Sequence, residues 1–71
     1  SRKRRDYARQ AMRDNKPELA YFLASNHFVS GGSDYADLEW LSGYISLRKL
    51  KNPSQAISHF NNFLNKNYLI F

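Results

Sequence analysis

The glutamates and histidines are the residues of this chain best suited to acid–base or metal chemistry, and there are only four: Glu18, Glu39, His27 and His59. The two histidines fall in different predicted helices. Neither has a carboxylate or a second histidine three or four residues away to complete a metal site. His27 is expected to end the second helix and to hydrogen-bond the following loop. Glu18 suits a helix start, and Glu39 suits a surface position or a buried pair. The pattern predicts no catalytic, cofactor-binding or metal-binding residue.

Length and composition restrict what surrounds these side chains. The chain has 71 residues and no cysteine, so it forms one small domain with a marginal core and no disulfide or thiolate site. No apolar run approaches the roughly 18 residues that a transmembrane helix needs. We therefore expect no membrane span.

Positive charge is concentrated at the beginning of the chain. Residues 1–13 contain six arginines and lysines against one aspartate, whereas the remaining residues carry five positive and five negative side chains. Such a cluster binds polyanions by counterion release, although it also suits a solvated helix end. No recognition helix follows, so sequence-specific nucleic-acid binding is not expected. The candidate polyanion contacts are Arg2, Lys3, Arg4, Arg5 and Arg9.

Apolar periodicity predicts four helices. The first is basic and covers about residues 2–14, and the second begins at Pro17 and ends at about His27. The third follows a glycine-containing loop, with Ser33 or Asp34 as its cap, and ends at about Lys49. The fourth begins at Pro53, with Asn52 as its cap.

The fold class is predicted to be all-α, with two antiparallel helical hairpins stacked as a short tetratricopeptide-like α-solenoid. An offset of 36 residues aligns Pro17 with Pro53, which is close to the period of that repeat. Residues 1–66 are expected to form this single helical-repeat domain, and residues 67–71 an apolar C-terminal tail.

The large apolar residues of the last two helices are the predicted core. Gly43 and Ala56 are expected to let neighbouring helix axes approach. The aromatic side chains Trp40, Tyr44, Tyr35, Phe60 and Phe63 could instead stack on sugar rings. Tyr35 is the best candidate for an exposed aromatic residue, because it lies at a helix start. Burial is expected for Trp40, Leu41, Ile45, Ala56 and Phe60.

The middle of the chain carries a run of residues that resembles a known family. The run begins with Ala20, Leu23, Ala24, Asn26 and His27, continues from Tyr35 to Leu50, and ends with Pro53, Ala56, His59 and Phe60. It resembles a segment of the soluble lytic murein transglycosylases, in the helical superhelix that precedes their catalytic domain. The resemblance covers roughly three fifths of the chain and implies a scaffold segment.

The same resemblance implies that this chain by itself is not an enzyme. The family uses a glutamic acid, typically in a Glu-Ser pair near a Gly-Leu-Met-Gln motif. Neither Glu18 nor Glu39 precedes serine, and the second motif does not occur. The family works in the periplasm, so a chain without a signal peptide is expected to be a fragment, a trimmed piece or a reading frame cut off from its export sequence.

Two alternative functions remain open at this point: an independent helical-repeat module that binds a protein, and a basic helical protein that binds nucleic acid or another polyanion. A homo-oligomer is expected, because two repeats leave apolar faces uncovered. Peptidoglycan or a protein is the candidate partner. The residues expected at the self-association surface are Tyr7, Met12, Phe63, Leu64, Tyr68, Leu69, Ile70 and Phe71.

Overall fold

A computed structural model describes residues 2–29 and 31–68 and shows four helices and no strand among them. The predicted all-α class is therefore confirmed. The helices are α1 (Arg2–Arg13), α2 (Pro17–Ser25), α3 (Gly32–Arg48) and α4 (Pro53–Tyr68). Within the described residues, no helix is long and apolar enough to cross a membrane.

Helix α2 begins at the predicted proline but ends before His27. Pro17 occupies the first helical turn, where its missing N–H leaves no hydrogen bond unmade. The helix ends at Ser25, and at its C-cap the backbone and side-chain amides of Asn26 both donate to the Phe22 carbonyl. His27 therefore lies in the loop that joins α2 to α3, where its ring is free to turn toward α3.

The start of α3 differs from the prediction. The helix begins at Gly32, and the extended Gly31 occupies the cap position, so Ser33 and Asp34 lie inside the helix and do not cap it. Gly32 has a φ of 84°, a conformation that L side chains rarely adopt. A glycine is needed at this position because the chain reverses there.

The start of α4 agrees with the prediction. The side-chain oxygen of Asn52 accepts a hydrogen bond from the backbone N–H of Gln55 at 3.1 Å, the usual N-cap arrangement before a helical proline. Helix α4 continues to Tyr68, so residues 67 and 68 belong to the helix and not to a tail. Leu69, Ile70 and Phe71 lie outside the described residues.

Each helix packs against the next one in sequence, and α1 also touches α3. The molecule is flat, with principal extents of 40, 26 and 15 Å. Small side chains at the contacts let helix axes lie close together. The central cluster consists of Ala8, Ala11, Ala20, Ala24, Leu41 and Ile45.

The predicted core is partly wrong. Leu41, Ile45 and Ala56 are buried as expected, but Trp40 is 45 % exposed and Phe60 is only partly buried. Both aromatic rings lie between α3 and α4, on a side that no further helix of the described chain covers. The other buried side chains of α3 are Ala36, Leu38, Glu39, Ser42 and Ser46.

Candidate functional site

A buried glutamate joins three parts of the chain. Glu39 of α3 is only 5 % exposed. Its Oε2 lies 2.7 Å from His27 Nε2, and its Oε1 lies 2.8 Å from His59 Nδ1 and 2.9 Å from the donating Asn62 Nδ2. We call this group, together with Tyr21, the Glu39 cluster. It links the α2–α3 loop and α4 to the middle of α3.

The loop places His27 through a second hydrogen bond. The Val29 backbone N–H donates to His27 Nδ1 at 2.9 Å. Because that nitrogen accepts, the ring proton must be on Nε2, which therefore donates to Glu39. The His27 ring also meets the ring of Tyr35 edge-on, with centroids 5.4 Å apart. Tyr35 is partly buried by this contact.

Helix α4 places His59 between Glu39 and Tyr21. The Tyr21 hydroxyl of α2 lies 2.8 Å from His59 Nε2, and the two rings are T-shaped with centroids 5.5 Å apart. The imidazole therefore connects α2, α3 and α4 through one continuous chain of hydrogen bonds.

Glu39 remains ionised in this buried setting. Burial by itself would raise the pKa of Glu39, but hydrogen bonds from His27, His59 and Asn62 outweigh it and lower that pKa. The pKa of Tyr21 is raised, mainly by burial and also by the Glu39 charge. The same two causes raise the pKa of Tyr35. The cluster is thus a carboxylate held among neutral phenols and two imidazoles.

The arrangement of the Glu39 cluster is better suited to holding helices together than to catalysis. Tyr21, His59 and Glu39 have the order of a nucleophile, base and orienting acid. However, the raised pKa of Tyr21 opposes its use as a nucleophile, and the carboxylate is buried. Neither of the two surface hollows described below is lined by a residue of the cluster. The hydrogen bonds hold three helices and a loop together.

The sequence reasoning missed this cluster because it searched only for neighbours within one helix. Its statement that no carboxylate lies three or four residues from either histidine holds, but Glu39 lies 12 residues after His27 and 20 before His59 and bonds both. Of the two roles considered for Glu39, the buried pairing is the one observed. The available signal was a glutamate inside the apolar pattern of α3. Within the described residues, no group of three histidine, cysteine or acidic side chains is arranged to hold a metal.

The candidate polyanion contacts do not form one free patch. Arg4 Nη1 donates to the Leu23 carbonyl at 2.9 Å, and Arg5 Nη1 donates to Asp37 Oδ2 at 2.5 Å. Lys3 and Arg9 face solvent, and the Arg2 side chain lies outside the described part. Arg4 and Arg5, two of the five predicted contacts, therefore also form hydrogen bonds within the fold. A hollow of about 210 Å³ is lined by Lys3, Arg4, Tyr7 and Leu23.

An apolar groove lies between α3 and α4. It has a volume of about 290 Å³ and is lined by Trp40, Phe60, Phe63 and Leu64. The Trp40 ring stacks on Tyr44, with centroids 5.4 Å apart and planes 13° from parallel. Leu64 is 44 % exposed. We refer to this surface as the apolar groove.

The groove contains two of the residues expected at a self-association surface, Phe63 and Leu64. Tyr7, on α1, is exposed but does not line the groove. Met12 is not free, since it packs against the central alanine cluster. The side chain of Tyr68, and all of Leu69, Ile70 and Phe71, lie outside the described residues.

Comparison of the chain with protein-family models, with curated proteins and with solved structures found no match.

Proposed function

We propose that this chain is a non-catalytic helical-repeat segment, of the kind that forms the superhelix of lytic murein transglycosylases, and that it acts as a scaffold and interaction surface. The observation that carries the proposal is the apolar groove, whose tryptophan and leucine are nearly half exposed. Open apolar surface between two helices is what a repeat leaves when its neighbour is absent.

The helix contacts support a repeat arrangement. α1 packs on α2, α2 on α3, and α3 on α4, and α1 also reaches α3. In the proposed arrangement α1 and α2 form one hairpin and α3 and α4 a second, stacked through α2 and α3. Each unit of a solenoid contacts only its neighbours, so the outer side of the second hairpin is where a third would bind.

The residues that carry the family resemblance also support a scaffold role. His27, Glu39 and His59 all belong to that run, and they meet in one buried cluster. Gly43 and Phe60 belong to it as well and are in direct contact. These residues therefore have structural roles that account for their presence without any reaction.

The proposed occupant of the apolar groove is another helical hairpin that offers an apolar stripe. All four lining side chains are apolar or aromatic, so the occupant is recognised by shape and burial, and charge has little part. In the isolated chain a second copy is the available source of such a stripe. We therefore expect a homodimer or larger assembly at about micromolar concentration.

Sedimentation equilibrium of matched variants tests this interface. Leu64→Glu places a charge in the groove and should weaken association at least about tenfold, because the carboxylate would have to be desolvated. Ile57→Glu is the control, since Ile57 is also exposed on α4 but does not line the groove. Equal association of the two variants, or a wild-type chain that stays monomeric at these concentrations, would contradict the proposal.

The relationship to the transglycosylases has its own tests. The reading frame that follows this segment in the genome should encode a Glu-Ser pair and a Gly-Leu-Met-Gln motif. The 71-residue chain alone should release no anhydro-muropeptides from purified peptidoglycan. Release of such products by the purified chain would overturn the non-catalytic assignment.

A further inference from the structure

The two histidines of the Glu39 cluster differ in how an added proton affects their hydrogen bonds. His59 Nδ1 faces Glu39 and its Nε2 faces the Tyr21 hydroxyl, each at 2.8 Å. A hydroxyl can either donate or accept. Tyr21 therefore bonds the neutral ring by donating and the charged ring by accepting. Protonation of His59 breaks no hydrogen bond in the cluster.

His27 responds differently. Its Nδ1 accepts from the Val29 backbone N–H at 2.9 Å, and its Nε2 donates to Glu39. An added proton has to go on Nδ1, where it would face the Val29 N–H, so two donors would point at each other. Protonation of His27 and the Val29 hydrogen bond therefore exclude one another.

The other titratable groups of the cluster keep their charge on mild acidification, and Glu39 in particular stays ionised because its pKa is lowered. Facing the two imidazoles are Tyr21 from α2 and Tyr35 from α3, and both phenols remain neutral because their pKa values are raised. Among the described residues of the loop, Phe28 is 93 % exposed with a φ of 56°, and Gly31 is exposed.

We propose that His27 is an acid-sensitive latch for the α2–α3 loop, which opens when a proton on Nδ1 displaces the Val29 N–H. Helices α3 and α4 stay joined during this opening, because His59 and Asn62 keep their hydrogen bonds to Glu39. The loop is the covalent link between α2 and α3, so its release loosens the connection between the α1–α2 segment and the α3–α4 segment. This behaviour does not depend on what occupies the apolar groove.

Nuclear magnetic resonance of the ¹⁵N-labelled full chain tests the latch between about pH 8 and about pH 5, where histidines change charge. At the upper end, long-range nitrogen–proton correlations should place the His27 proton on Nε2 and the His59 proton on Nδ1. On acidification the hydrogen-exchange protection factor of Val29 should fall at least about tenfold as His27 titrates, because the local opening becomes populated. The protection factor of Ile45 in α3 should not change.

Two matched variants separate the histidines. His27→Gln keeps an amide donor near Nε2 but cannot titrate, so the acid response of Val29 should disappear. His59→Asn keeps a donor near Nδ1, and the Val29 response should persist. Circular dichroism at neutral pH checks that both variants are folded. If one is not, the wild-type titration of the Val29 protection factor still tests the latch.

Three results would overturn the latch: a His27 proton found on Nδ1 at the upper pH, a Val29 amide whose protection is unaffected by His27 titration, or a Val29 response that survives in His27→Gln.

Discussion

The ring of Phe60 on α4 lies directly against the backbone of Gly43 on α3. A Cβ atom built on Gly43 would be 2.5 Å from Phe60 Cε1 and 2.7 Å from Cδ1, closer than carbon atoms approach without displacement. This contact lets the two helices pack closely beside the apolar groove and explains why position 43 carries no side chain. It also confirms the expectation that Gly43 permits the approach of a neighbouring helix.

Gly43→Ala should therefore destabilise the chain. Alanine gains up to about 1 kcal/mol of helix propensity over glycine, but overpacking typically costs about 1–3 kcal/mol. Phe60 is only partly buried and can move toward the groove, so we expect a net loss of about 1 kcal/mol in the free energy of unfolding. Urea denaturation measures it.

The Phe60→Ala background reverses the sign. Without the ring, the atoms nearest the added Cβ are gone, and Gly43→Ala should stabilise the chain by about 0.5–1 kcal/mol through helix propensity. A double-mutant cycle isolates this coupling. If Gly43→Ala has the same effect in both backgrounds, the Gly43–Phe60 contact does not limit the packing.

Glu39 should make stability sensitive to acid. Its pKa is lowered in the folded chain, so the folded state binds the Glu39 proton less tightly than the unfolded state does. Its contribution is complete above the unfolded value of roughly 4.3 and is lost as pH falls through the lower folded value. Urea denaturation of the wild type at several pH values below about 5 should show this decline.

Two glutamine variants separate Glu39 from the other carboxylates. Glu39→Gln should cost about 3 kcal/mol at neutral pH, because a single amide oxygen cannot accept from His27, His59 and Asn62 and leaves a buried donor unpaired. Its remaining stability should decline less steeply with acid. Glu18 is exposed, so Glu18→Gln should keep the wild-type slope. A Glu39→Gln slope equal to that of the wild type would contradict the assignment.

The two predicted helix caps should differ in their energetic effect. Asn52 accepts the Gln55 N–H, so Asn52→Ala should destabilise the chain by about 1 kcal/mol. Ser33 lies inside α3 and is exposed, so Ser33→Ala should change stability by less than about 0.5 kcal/mol. Thermal unfolding followed by circular dichroism compares them. Equal losses would mean that Ser33 caps α3 after all.

Trp40 is the only tryptophan of the chain and lines the apolar groove, so its fluorescence reports on occupancy of that groove. With increasing protein concentration its emission should move to shorter wavelength, because the half-exposed indole becomes buried. Ile57→Glu should show the same shift, and Leu64→Glu should not. An emission maximum independent of concentration in the wild type would argue against an occupant at this site.

Local signals in the sequence predicted the helices well. Apolar periodicity predicts that α1 to α4 form. Pro17 and Asn52 predict where α2 and α4 begin, because proline and cap effects act within a few residues. The loop before α3 was less predictable. Ser33 was predicted as a cap, but Gly31 is the cap and the left-handed Gly32 starts the helix two residues earlier than a Ser33 cap would.

Which side chains meet was decided by the tertiary structure. His27, Glu39 and His59 are separated by 12 and 20 residues and come together only because the loop and α4 pack on the same side of α3. Trp40 looked like core because it is large and apolar, yet burial requires a neighbour, and no helix of the described chain covers that side. Periodicity specifies the face of a helix, whereas burial and charge pairing depend on which distant segment packs against that face.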